Sequence, residues 1–108
     1  MMESVCKIAG TALLCLVASA ATCRAQPADA KRGHALAARL CAQCHRVDGA
    51  STSAVLADVS SFAAIAARPN VSAEQLAGRI IVPHPEMPGV QLTTHEIRDI
   101  ISYILSLK

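Results

Sequence analysis

Apolar positions along the chain fall into helical registers separated by stretches with no register. After Asp29, whose side chain can cap a helix, Gly33, Leu36, Ala37 and Leu40 recur at i, i+3, i+4 and i+7, which predicts a helix over 30–42 with one small, apolar face. Residues 46–61 keep no sustained period and carry Asp48, Gly49 and several Ser and Thr, the composition of a loop. A short helix is predicted over 62–67, stopped at or before Arg68 because Pro69 disfavours helical backbone in the residue ahead of it. Ser72 with Gln75 three residues on is a capping box opening a helix to about Val82, with Leu76, Ala77, Ile80 and Ile81 as its buried stripe. Thr93 with Glu96 is a second capping box, and Ile97, Ile100, Ile101, Ile104 and Leu105 then run at helical spacing to the end of the chain. Between these two helices, Pro83, Pro85 and Pro88 surround His84, Glu86, Met87 and Gly89 in a stiff connection with few backbone donors. No segment alternates with period two over a strand's length, so the expected class is all-α.

The beginning of the chain changes this picture. One early Lys7, the 14-residue apolar run Ile8 to Ala21, and the small residues around Cys23-Arg24-Ala25 form a secretory signal over 1–25, cut after Ala25, with Ala20 and Ala21 as rival sites. The run falls short of the roughly 20 residues that span a bilayer, so no stable membrane anchor is expected after cleavage, and the destination is the periplasm. Thr22, where Gly, Ala or Ser is usual, argues against a lipoprotein signal at Cys23. Without Lys7, Arg24 and Glu3, the domain over 26–108 carries eight basic and seven acidic residues, a balance of +1, which does not suit a nucleic-acid binder. It keeps two cysteines, one methionine, one Phe (Phe62) and one Tyr (Tyr103), with no Trp anywhere. A domain this small, with so little aromatic mass, needs a staple or cofactor to complete its core.

The chemistry lies in Cys41-Ala42-Gln43-Cys44-His45, a C-x-x-C-H motif of the kind that attaches a c-type haem. Two thiols three residues apart near a helix end can add to the two vinyl groups on one edge of a porphyrin, and the next residue brings its imidazole under the iron. A thioredoxin-like site would want a βαβ context and a zinc knuckle a second ligand pair, and the sequence has neither. A disulfide between Cys41 and Cys44 is the remaining alternative in an oxidising compartment. For a second axial ligand the candidates are Met87, His34, His84 and His95. A lone Met is ordinarily core filler, but Met87 lies in a proline-stiffened loop, far enough past His45 to reach the opposite side of a flat cofactor. His84 is its main competitor; His34 and His95 are expected at the surface. The carboxylates Asp48, Asp58, Glu74, Glu86, Glu96 and Asp99 are scattered and read as solvated surface charges.

These features together resemble a small class I cytochrome c: Gly33 eight residues before Cys41, the haem motif, Phe62 after Ser60-Ser61, Met87-Pro88-Gly89, and Tyr103 followed by Ile104-Leu105 in the last helix. The resemblance implies the class I fold, with the first and last helices crossing closely at Gly33 and Tyr103 packed at the crossing. It also implies one covalently attached haem c on Cys41 and Cys44, His45 and Met87 as axial ligands, and one-electron transfer between protein redox partners rather than enzymatic turnover. These four side chains are expected to face one apolar cleft. The chain departs from the family's pattern in three places. Ala37 stands where members often have an aromatic. No proline follows the motif before Phe62, which leaves the acceptor of the His45 ring N–H unassigned. Only Lys31 and Lys108 remain after the signal, so docking is expected to rest on a small apolar surface near Ala42, Gln43 and the Met87 loop, with the arginines dispersed. Two other functions fit the motif: a gas-binding or sensing haem protein with an open sixth position, and a dedicated electron-transfer subunit of a dehydrogenase complex.

Overall fold

The computed structural model describes residues 26–50, 52 and 55–108; the expected signal over 1–25 lies outside them. Four helices carry the chain, α1 (Ala30–Leu40), α2 (Phe62–Ala66), α3 (Ala73–Ile81) and α4 (Thr94–Leu105), and no strand occurs among the described residues. Each helix begins at a polar side chain that accepts an otherwise unpaired amide: Asp29 from Arg32, Ser61 from Ala64, Ser72 from Gln75 and Thr93 from Glu96. Only α4 shows the full reciprocal box, with the Thr93 amide donating back to Glu96 Oε2 at 2.8 Å.

Two helices end earlier than their periodicity suggests. In α1 the amides of Cys41 and Ala42 both donate to the Ala37 carbonyl, at 2.8 and 3.1 Å. The shared acceptor ends the regular ladder at Leu40, and the next bonds run from the Cys44 and His45 amides to the Cys41 carbonyl. The C-x-x-C-H motif is therefore wound into turns rather than carried on a helix. In α4 the Ser106 hydroxyl folds back onto the Tyr103 carbonyl at 2.5 Å and ends the helix at Leu105.

The main packing is α1 against α4. A Cβ placed on Gly33 would lie 1.9 Å from the Asp99 carbonyl oxygen and 2.4 Å from its carbon, so the helices meet backbone to backbone and any side chain there would overlap. Ala37, fully buried one turn later, belongs to the same tight interface. Tyr103 is not the residue that Gly33 meets. It sits one turn further along α4, its ring 4.8 Å from that of His34 and its hydroxyl donating to the Val47 carbonyl. From there the core continues through Phe62, Ala66 and Leu76 to Ile100 and Ile104.

Asp99 corrects the reading of the carboxylates as surface charges, since it is 1% exposed. It accepts from Arg32 Nε at 2.9 Å and Nη2 at 3.2 Å, and from the Asp29 amide at 2.7 Å. Arg32 Nη2 also donates to the Pro27 carbonyl and to His95 Nε2, both at 3.0 Å. Burial of this charge is tolerated because each of its oxygens has a donor. The Arg32 guanidinium holds the Asp99 carboxyl below the usual carboxylate range.

Candidate functional site

The turns after α1 deliver Cys41 and His45 to one wall of a cleft, and the loop after α3 delivers Met87 to the same cleft. Phe62, Leu76, Ile100 and Ile104 are among the apolar residues that complete the wall. Cys44 is half-buried and does not line it. Both cysteines are free thiols, so no disulfide joins them. Burial pushes the Cys41 thiol up, and the neighbouring Cys44 adds to the effect.

His45 is held by its other ring nitrogen. Nδ1 donates to the Ser60 carbonyl at 2.7 Å, and the imidazole packs 5.5 Å from the Phe62 ring. Ser60 is fixed in turn. Its hydroxyl accepts from Arg68 Nη2 at 3.1 Å, and the Phe62 amide donates to the Arg46 carbonyl at 2.9 Å, closing the neck of the intervening loop. Any residue type presents a carbonyl, so no sequence signal could single out Ser60. The bond commits Nδ1 as a donor and leaves Nε2 as the basic nitrogen.

Met87 is placed by a turn. Its amide donates to the His84 carbonyl at 3.1 Å, with Pro85 and Glu86 between them, and Glu86 takes φ of 74°. Proline second and a positive φ third are the marks of a type II turn. A Glu in that third position is a costly choice, of order 1–2 kcal/mol. His84 lines the cleft with Met87, whereas His34 and His95 do not. His34 pairs with Asp48 and packs at a tilt against Tyr103, and His95 joins the Arg32–Asp99 cluster.

An all-helical domain whose terminal helices cross beside a C-x-x-C-H turn, with an apolar cleft at that turn, has the make-up of a c-type haem protein. The family described as cytochrome c matches over residues 30–108. Cytochrome c-552 of Bradyrhizobium diazoefficiens is 46% identical over 99 residues, which cover 92% of this chain and 93% of that relative. No solved structure matches the chain. The chain belongs to the cytochrome c family, as a class I c-type cytochrome: a haem electron carrier that works with redox partners, its cofactor a covalently attached haem c.

The cleft fits that cofactor on its own evidence. Its lining is apolar apart from a few nitrogen- and sulfur-bearing side chains, and Nδ1 of His84 is buried with no hydrogen-bond partner. A flat, largely apolar group with polar substituents would cover the first and satisfy the second. Among the described residues no helix is long and apolar enough to cross a membrane.

Proposed function

We propose that this chain is a periplasmic monohaem electron carrier in which Cys41 and Cys44 hold the porphyrin and His45 and Met87 are the axial ligands. The observation that carries the reading is the convergence of Cys41, His45 and Met87, from two distant segments, on one apolar cleft. When bound, the haem supplies an iron that cycles between ferric and ferrous states one electron at a time. The protein's residues attach, orient and shield it. Cys41 and Cys44 would hold the group covalently through their sulfurs, and burial raises the pKa of the Cys41 thiol that lines the cleft. Ser60 holds His45 in one tautomer and orientation, which strengthens Nε2 as a ligand. Met87 contributes a soft, uncharged sulfur that raises the reduction potential relative to a second imidazole. The signal over 1–25 supports the periplasmic location, where the thioether chemistry of c-type cytochromes takes place.

Expression with a c-type maturation system should give a red protein whose haem stays with the polypeptide through acidified organic extraction. The ferric protein should show the weak far-red charge-transfer band of sulfur ligation, and Met87→Ala should remove that band and lower the potential. Haem that extracts freely would overturn the attachment at Cys41 and Cys44. A ferric protein without the band would overturn Met87 as ligand; a high-spin spectrum would point instead to an open sixth position and a gas-binding role.

A further inference from the structure

Ser60 holds partners on two sides. Its carbonyl accepts from Nδ1 of His45 at 2.7 Å, and its hydroxyl accepts from Nη2 of Arg68 at 3.1 Å. The first bond sets the ring that lines the cleft. The second comes from a residue eight positions further on, just past the end of α2, that does not line the cleft.

The direction of the Ser60 carbonyl belongs to the planar peptide unit that links Ser60 to Ser61, so it depends on what holds the two ends of that unit. The far end is secure. Ser61 is fully buried, and its hydroxyl accepts from the Ala64 amide at 3.0 Å as the cap of α2. The near end lies in the loop that follows the haem motif, and there Arg68 restrains it through the hydroxyl.

Arg68 is itself anchored. Its amide donates to the Ile65 carbonyl at 3.2 Å, its carbonyl accepts from the Val71 amide at 3.3 Å, and Pro69 restricts its backbone. The guanidinium reaches back along α2 to the residue before the cap, so the short helix and this one side chain close a ring around the peptide that faces His45. A donor that carries a charge also makes a stronger bond to a hydroxyl than a neutral donor would.

Resting on the reading that His45 ligates the haem iron, we propose that Arg68 is a positioning residue for His45: through the Ser60 hydroxyl it holds the Ser60 carbonyl on Nδ1 and so sets the donor strength of Nε2. A firm bond from Nδ1–H to a carbonyl makes the imidazole more basic and favours the ferric state. Loosening that bond therefore raises the reduction potential.

The experiment uses the haem-loaded protein. Its readouts are the reduction potential and, by NMR of the ferrous form, solvent exchange of the His45 Nδ1 proton, with the α4 amides as the reference for global unfolding. Ser60→Ala keeps the carbonyl and the net charge and removes only the hydroxyl. It should speed exchange of the ring proton about two- to tenfold relative to the α4 amides, the worth of one hydrogen bond, and raise the potential. Arg68 is exposed, so its substitution leaves the core intact. Arg68→Ala should speed the ring proton as Ser60→Ala does, and Arg68→Lys, which keeps a charged donor, should recover most of the protection. The double variant should exchange no faster than either single one, because both remove the same bond. Ring proton and α4 amides accelerated alike would overturn the proposal, since Arg68 would then only stabilise the fold. Independent effects in the double variant, or an unchanged potential in Ser60→Ala, would overturn it too. A His45 ring that is not on the iron shows itself separately in the parent, because its protons then lack the large shifts that haem imposes on a bound ring; that result overturns the ligation reading along with the proposal.

Discussion

Asp99 lies between Arg98 and Ile100 in an amphipathic helix, a position with no local feature to mark it as buried. Its environment is set by Arg32, from the other end of the chain, and by the Asp29 amide. Because Arg32 lowers the pKa of Asp99 in the folded protein, the unfolded chain binds a proton more readily there. The resulting stability is fully present above the ordinary carboxylate pKa of about 3.9 and is lost as pH falls through the depressed folded value. The Asp29 carboxyl, lowered by the hydrogen bond from the Arg32 amide, acts in the same direction. Urea midpoints should therefore hold between about pH 7 and 5 and decline below about pH 4. Asp99→Asn should cost about 1–3 kcal/mol at neutral pH and flatten the acid decline. A variant with the parent's full acid sensitivity would place the titrating group elsewhere. Ser60 makes a similar point for the site: His45 needed an acceptor, the chain lacks the expected proline, and a serine carbonyl takes that place at 2.7 Å.

Among the elements, the crossing of α1 and α4 depends on the absence of a single Cβ. Gly33→Ala would force an atom to within 1.9 Å of the Asp99 carbonyl, and the obstacle is backbone, which cannot rotate aside. The substitution should destabilise by about 1–3 kcal/mol or more, the range for overpacking a close contact. Gly78 in α3 provides the comparison, because a Cβ there meets nothing within 4 Å. Gly78→Ala should stabilise by about 0.5–1 kcal/mol through helix propensity alone. Urea unfolding of both variants checks the pair, and equal effects would mean that the helices do not touch at Gly33. The helix starts were legible in the sequence because a cap is local, an acceptor side chain within three residues of its amide. The helix ends were less so: α1 stops at Leu40 through bonds around Ala37 that continue into the haem motif.

For the whole molecule, most paired charges lie around α1 and α4, in the clusters of Arg32 with Asp29, Asp99 and His95 and of His34 with Asp48. Arg68 and Arg79 share one groove between α2 and α3 and so are less dispersed than the sequence suggests. Of these, Arg68 donates to Ser60, and two arginines in one groove leave little charge for long-range steering. With two propionates set against the +1 of residues 26–108, the charge of that domain is about −1 if the iron is left out. Exposed apolar surface is at hand in Leu40 before the haem motif and in Ile81 and Val82 at the end of α3, the last 72% exposed. Docking should be small and transient, as in other electron-transfer pairs. The rate with a physiological acceptor should change only modestly between low salt and about 0.15 M, where the Debye length is about 8 Å. A steep fall in stopped-flow rates over that range would show that the arginines act together as a face.

The order of residues was enough to show which segments are helical, where each begins, and that Cys41, Cys44 and His45 form a haem-attachment motif. Those features depend on residues within four or five positions of one another, so periodicity, capping and motif spacing express them directly. It also named Met87 and His84 as rivals, and both line the cleft. Only in the folded chain does Gly33 meet the Asp99 backbone, Asp99 lie buried under Arg32, the Ser60 carbonyl accept the hydrogen bond from His45 Nδ1, and Arg79 stand in the same wall as His84. Each joins positions that the folded chain brings together through backbone atoms or lone side chains. Such contacts leave no periodic trace, since a carbonyl belongs to every residue and a single charge reveals nothing of what will face it.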